Sequence, residues 1–336
     1  MVDATHISLQ ANNRSYYSLI KKDIHQRLIN AGMDQARISE VDIITAEMTS
    51  NLFKYADDGE ILFGQFQEEG IPYIELICID NGPGMQNPSR MVQDGISTSK
   101  TLGAGLGSIK RLSDTFDICS YPGWGTIVLS RIYIGKKPAL LPRGVVIRPI
   151  VISKPGEKVS GDGFAYKTSG NSFKVMLGDG LGHGPEANHA VNEAAKLFNA
   201  FHPSSPTETL RFIHSAIKKT RGMVANVTAY DSKNGQWSSA GIGNIAARWI
   251  GPQNAKNHMS YNGIVGHNIP TTMNDQGYSI QEYNQLVLCS DGIKTRWEIS
   301  KYPGILKHDP TLLAACIYKD HARQTDDMSV VIIKVR

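Results

Sequence analysis

The stretch Thr45–Ile61, TAEMTSNLFKYADDGEI, sets a carboxylate and an amide four residues apart, Glu47 and Asn51, beside an apolar row at Ile44, Met48 and Leu52. Side chains four apart share one helix face, so the sequence predicts a helix from about Glu40 to Ala56 that presents Glu47 and Asn51 together. Upstream, Ile20, Ile24 and Leu28 keep the same spacing and predict a helix over Ser15–Ala31. Downstream, Ile61–Gln67 and Tyr73–Ile79 read as strands joined by a Gly-bearing hairpin. The second strand runs into Asp80-Asn81-Gly82-Pro83-Gly84, which leaves a carboxylate at a cleft edge; an ordinary tight turn has the same composition. Gly103-Ala104-Gly105-Leu106-Gly107 then opens a short helix, Leu106–Ser113. The strands Thr115–Ser120 and Gly125–Ile132 meet at the turn Pro122-Gly123. Helices laid on one mixed or antiparallel sheet make an α/β sandwich.

A carboxylate beside an amide can serve as general base and Mg²⁺ ligand. Glycines admit backbone N–H groups to phosphate oxygens, and a following helix N-terminus favours anions. The Gly-rich segment lacks the Walker pattern, and no strand leads directly into it. Taken in order, E-x-x-x-N, D-x-G-x-G, G-x-G-x-G and Gly125-Thr126 resemble the N, G1 and G2 boxes of the GHKL ATPase fold over residues 10–133. TAEMTSNLFKYADDGEI and DGISTSKTLGAGLGSIKRLSDTFDICSYPGWGTIV are similar to RsbT-type serine kinases. The resemblance implies ATP and Mg²⁺ as ligands. Asn51 would bind Mg²⁺, and Glu47 would activate the substrate hydroxyl. Asp80 would read the adenine amino group with Thr126 nearby. Gly82, Gly84, Gly103, Gly105 and Gly107 would complete the nucleotide site and its lid. Ser97-Thr98-Ser99-Lys100-Thr101 precedes the glycines, where relatives are often richer in glycine.

The second half reads mainly as strands: Val145–Ile152, Gly161–Thr168, Ser172–Leu177, Val224–Asp231, Gln236–Gly241, Ala246–Ile250, Gln285–Ser290 and Ser329–Val335. Helices over Pro185–Phe201 and Pro206–Arg221 interrupt them, which predicts a layered α/β sandwich. Aspartates recur at strand ends: Asp162 in SGDG, Asp179 in GDG, Asp291 in SDG, and Asp326-Asp327 in TDDMS. Each alone reads as a turn. Gathered in one domain they would repel one another unless divalent cations lay between them. Oxygen donors without a His or Cys cluster point to Mg²⁺ or Mn²⁺ rather than Zn²⁺.

VSGDGFAY, VMLGDGLGHGPEA, LCSDGI and TDDMSVVI together resemble the PPM family of metal-dependent serine/threonine phosphatases in its SpoIIE/RsbX-like branch. That implies an α/β/β/α sandwich in which Asp179 bridges two ions and the Gly180 carbonyl binds one. Asp291 and Asp326 would complete the second, with Asp327 open as the alternative. Asp162 would act directly or through water, and His183 is a candidate general acid. The domain reading is therefore 1–137, a linker at 138–144 around Pro138 and Pro142, and 145–336.

Both resemblances point to a STAS-domain regulator as substrate, an anti-sigma-factor antagonist or stressosome-like protein, phosphorylated by one half and dephosphorylated by the other. A phosphatase with an ATP-sensing first domain and a non-enzymatic anti-sigma-like binder are the alternatives. A pure binder needs no base at Glu47. The net charge is +4 with no dense Lys/Arg block, which argues against nucleic acid. The four cysteines, three of them in apolar strand-like runs, read as free buried thiols. No basic-then-apolar leader opens the chain, and no apolar run approaches membrane-spanning length. The expectation is a cytoplasmic protein that does not engage membranes.

Overall fold

A computed structural model describes residues 6–11, 14–56, 58–68, 70–92, 105–135, 144–170 and 172–335. Gly103, the serine- and threonine-bearing segment before it and linker residues 138–143 lie outside the described residues. The chain divides into two compact units. His6–Leu141 and Glu298–Cys316 form one, here the N-terminal unit; the other is built on Pro142–Trp297 and Ile317–Arg336.

In the N-terminal unit, strand β1 (Ile7–Gln10) precedes helices α1 (Arg14–Asn30) and α2 (Gln35–Tyr55). Strands β2 (Gly59–Glu68) and β3 (Ile71–Asp80), helices α3 (Pro88–Met91) and α4 (Gly105–Leu112), and strands β4 (Thr115–Tyr121) and β5 (Gly125–Tyr133) follow. The sheet order is β1-β2-β3-β5-β4, every neighbouring pair antiparallel. Helix α2 starts five residues before the expected Glu40. Asp34 caps it, its carboxylate accepting from Arg37 N, and Ile38 and Val41 extend the buried row one turn back. Ile24 and Leu28 of α1 and Ile44, Met48 and Leu52 of α2 bury against Ile74, Leu76, Cys78 and Val128 on one sheet face.

The opposite sheet face is also buried. Arg131 of β5 and Glu75 of β3 each expose 2% of their surface there. The segment Glu298–Cys316 contributes two single 3-10 turns, Ile299–Lys301 and Ile305–Lys307, and the start of helix α7 (Pro310–His321). Asp309 pairs with the Arg131 guanidinium through Nη1 at 2.6 Å and Nη2 at 2.9 Å. Asp117 of β4 accepts from Asp309 N at 2.7 Å, and its other oxygen meets His308 Nδ1 at 2.9 Å. The hydrogen bond to Asp117 holds the His308 pKa above its ordinary value, against the opposing effect of burial. A raised folded pKa stabilises fully below about pH 6.5 and less as pH climbs through the raised value. Thermal melting should therefore weaken on going from slightly acidic to alkaline pH, and His308→Gln should remove that part of the slope. An unchanged slope in the variant would show that the pair contributes nothing.

The C-terminal unit contains β6 (Val145–Ile152), β7 (Asp162–Ser169) and β8 (Ser172–Gly180), helices α5 (Pro185–Ala200) and α6 (Pro206–Ala216), and strands β9 (Met223–Asp231), β10 (Gln236–Ile242), β11 (Ala246–Ile250), β12 (Ala255–Asn257), β13 (Gln276–Ser279), β14 (Gln285–Cys289) and β15 (Met328–Val335). They form two antiparallel sheets, β13-β10-β9-β8-β7 and β12-β11-β14-β15-β6. Val191, Ala194 and Phe198 of α5 and Leu210 and Ile213 of α6 share a core with Met176 and Val227 of the first sheet. Between the sheets, the rings of Trp237 and Trp249 meet at 5.0 Å. Helix α6 stops at Ala216, short of the expected Arg221, and residues 217–222 leave as a turn whose Thr220 Oγ1 bonds Ile217 O.

All four cysteines are free and buried. Among the described residues no helix is long and apolar enough to cross a membrane.

Candidate functional site

Each unit carries a candidate site at strand ends. In the N-terminal unit, α2 aligns Glu47 and Asn51, both partly buried. Helix α4 begins against them. A Cβ at Gly105 would stand 2.8 Å from Glu47 Oε2 and 3.7 Å from Asn51 Oδ1. A side chain there would have to displace the Glu47 carboxylate, so the first turn of α4 lies directly beside both groups. Backbone N–H groups of a first helical turn are unpaired within the helix and attract anions.

The register Ile79↔Ile127 places Asp80 next to the β5 entrance. Asp80 Oδ1 accepts from Gly82 N at 2.8 Å and from Thr126 N at 3.1 Å. Those bonds fix the plane of the carboxylate. Thr126 is buried, with its hydroxyl 2.9 Å from Ser120 Oγ. Gly84 has φ +68 and packs against the Tyr121 carbonyl, while Gly107 is buried within α4. Of the expected nucleotide residues, Glu47, Asn51 and Gly105 thus come together, as do Asp80, Gly82 and Thr126.

In the C-terminal unit, the β7–β8 register sets Asp162 opposite Asp179. A cleft of about 450 Å³ is lined by Asp179, Gly180, Asp291 and Asp326 together with Gly182, Asn244 and Asn262. Burial, followed by the charges of Asp162, Asp291, Asp326 and Asp327, pushes the Asp179 carboxyl up to about 9. Burial likewise pushes Asp162 up to about 7, against hydrogen bonds from Ser290 and Ser329, the latter at 2.7 Å. Asn244 Nδ2 donates to Asp291 Oδ2 at 3.0 Å.

Carboxylates that repel one another this strongly are the donor set a divalent cation would hold ionised. Among the described residues no three His, Cys, Asp or Glu side chains close on one point. A shell here would be completed by carbonyl oxygen and water, which Mg²⁺ and Mn²⁺ accept readily.

The neighbouring aspartates Asp326 and Asp327 differ in surroundings. Asp327 is buried, and its two oxygens accept from Lys154 N at 2.8 Å and Gly161 N at 2.9 Å. It ties the start of β7 to the turn before β15, whereas Asp326 borders the cleft. His183 is exposed and meets Glu157 Oε1 at 2.7 Å; it is not among the residues lining the cleft.

No family model matches the chain. The N-terminal region is 39% identical over 94 residues to the serine/threonine-protein kinase RsbT of Bacillus subtilis (strain 168), which covers 28% of this chain and 68% of that one. Among solved structures, a chain from the bacterial stressosome, a modular system adapted to control secondary messenger signalling, superposes with a TM-score of 0.53 at 25% identity, covering 56% of this chain and 99% of that one. RsbX in complex with magnesium superposes with a TM-score of 0.50 at 15% identity over 57% of this chain and 96% of that one. The chain belongs, through its N-terminal region, to the RsbT family of serine/threonine-protein kinases, and continues into a unit with the PPM-type phosphatase fold.

Proposed function

We propose that this chain is a bifunctional regulator: an ATP-dependent protein-serine kinase joined to a metal-dependent protein-serine/threonine phosphatase, acting on a STAS-domain protein in a partner-switching pathway. The observation that carries the reading is the presence, in one RsbT-family chain, of a carboxylate-lined cleft in a PPM-type unit. The stressosome neighbour supports the choice of partner class.

In the kinase unit, Glu47 accepts the proton of the substrate serine. Asn51 would supply an oxygen to Mg²⁺, and the first turn of α4 would offer its N–H groups to the phosphates. Asp80, fixed by Gly82 N and Thr126 N, reads the adenine amino group. In the phosphatase unit, Asp179, Asp291 and Asp326, with the Gly180 carbonyl, are the residues that would hold Mg²⁺ or Mn²⁺. Such ions lower the pKa of a bound water and neutralise phosphoryl charge. Asp162, held by Ser290 and Ser329 and paired opposite Asp179 in the β7–β8 ladder, would act on the ions directly or through water. Asp327 keeps the strand ends in register, and His183, turned to Glu157, is assigned no step.

The test of the kinase half is phosphoryl transfer from radiolabelled ATP to candidate STAS proteins. Glu47→Ala should lower transfer by about a hundredfold, the lower range for losing a general base, while calorimetry records unchanged ATP binding. Transfer at the wild-type rate in this variant would remove Glu47 from the mechanism.

A further inference from the structure

The residues lining the phosphatase cleft carry three carboxylates, Asp179, Asp291 and Asp326, and no cation. A phosphoserine arrives at pH 7 with a charge of about −1.5 to −2. Metal ions bound among the carboxylates would meet the reacting phosphoryl oxygens, yet the approach to an acidic mouth still repels a dianion. We infer that Arg221 is the side chain that receives the substrate phosphate at the mouth of this cleft. The inference rests on the phosphatase reading above and names the binding residue it lacks.

The geometry comes from the cleft wall. A Cβ built on the lining residue Gly182 would stand 3.1 Å from Arg221 Nη1. The guanidinium therefore lies along the wall at Gly182, two residues beyond Gly180 in the chain. Gly182 has φ +86, so a side chain there would be strained as well as crowded. Glycine at this position leaves the arginine its place.

The backbone under Arg221 is held on several sides. Gly222 O accepts from Leu181 N at 3.1 Å, which ties the arginine turn to another residue of the cleft wall. His267 Nε2 donates to Arg221 O at 2.7 Å. Thr220 Oγ1 accepts from Gly222 N at 3.1 Å. Helix α6 ends at Ala216, and the turn at 217–222 that follows it brings Arg221 to the cleft wall.

The side chain itself is exposed, and among the described residues its guanidinium has no carboxylate partner or side-chain hydrogen bond. An arginine whose backbone is fixed and whose fork is uncommitted suits a phosphate, since the planar guanidinium meets two phosphate oxygens with two parallel N–H groups. Lys218 and Lys219 precede it, both exposed. They add positive field, and Arg221 is the member of the group placed against a lining residue.

The test measures hydrolysis of a phosphoserine peptide with Mn²⁺ by the full chain and by Arg221→Ala, Arg221→Lys and Lys219→Ala. Arg221→Ala should raise KM about 10–100-fold, the range for a lost charge-assisted hydrogen bond. The kcat should stay within about threefold, as expected when ground state and transition state lose the same contact. Arg221→Lys should recover only part of the loss, because it keeps the charge without the fork. Lys219→Ala should change KM by less than about twofold, as for a screened surface charge. Calorimetry of inorganic phosphate binding with Mn²⁺ should give the same order without turnover. The inference is overturned if Arg221→Ala leaves both KM and phosphate affinity at wild-type values, or if Lys219→Ala weakens them equally. A wild-type chain that binds phosphate through Arg221 but hydrolyses no phosphoserine would overturn the phosphatase reading and uphold the anion site.

Discussion

Asp179→Ala should reduce Mn²⁺-dependent hydrolysis of a phosphoserine peptide by at least about 10³-fold, more than the 10²–10³ that one oxyanion donor supplies. Asp179 ends β8, lies across the β7–β8 ladder from Asp162, and feels the charges of Asp291 and Asp326 as well. Removing it therefore takes away the carboxylate common to the whole cluster. A collapse of the fold would give the same loss of rate, so stability has to be read alongside. With a chelator present, the variant should melt at or above the wild-type temperature, since one of several mutually repelling carboxylates is gone. With Mn²⁺ the wild type should gain stability in proportion to RT ln(1 + [Mn²⁺]/Kd), and the variant should gain little. Full hydrolysis in excess chelator, or an equal stabilisation of both proteins by Mn²⁺, would defeat the assignment.

Two kinds of pattern made parts of this architecture legible in the sequence: helices with one polar face, and apolar runs bounded by turn residues, as in the fully buried strands β5 and β14. Glu47 and Asn51 could be placed because Ile44, Met48 and Leu52 define the buried face of their helix. The strand-end aspartates could be placed because each borders an apolar run: Asp179 and Asp291 at its close, Asp162 and Asp326 at its start. Helix α7 has no such pattern. Leu312 to Tyr318 are all buried, so no polar face marks the helical period. Strand β1 was missed for a related reason, being only four residues long.

The membership of Glu298–Cys316 in the N-terminal unit had no local sequence signal at all. Asp309 and Arg131 are 178 positions apart, and only the folded chain brings them together. Asp326 and Asp327 were equivalent in the sequence, and what separates them is backbone N–H groups at Lys154 and Gly161. Arg221 was hidden inside an expected helix. The Thr220-Arg221-Gly222 stop was the available signal, since glycine commonly ends a helix.

Arg131→Ala should destabilise the N-terminal unit by about 3–5 kcal/mol, the cost of breaking a buried charge network by deleting one partner. The network lies on the sheet face away from α1 and α2. His6 Nε2 meets Glu75 Oε1 at 3.1 Å, Glu75 Oε2 accepts from Arg131 Nε, and Arg131 reaches Asp309 and the Thr311 hydroxyl. Burial pushes the Glu75 pKa up, but Arg131 and then the His6 hydrogen bond outweigh it, so the net shift is downward. Arg131 shows the opposite balance: burial lowers its pKa, and Asp309 and Glu75 raise it well above the ordinary value. Deleting the arginine would leave Glu75 buried without its cation, which is why the cost exceeds that of a surface ion pair. Asp309→Ala should cost less, because Arg131 keeps Glu75. Its distinctive effect should be local. Asp309 Oδ1 accepts from Thr311 N at 2.9 Å, so amide exchange at the start of α7 should accelerate while exchange in α2 stays as in the wild type. The double variant should show a coupling energy, with the two losses summing to more than the pair together. Strictly additive losses would mean that the Arg131–Asp309 contact contributes no energy, and that Glu298–Cys316 is held to this unit by its apolar contacts instead.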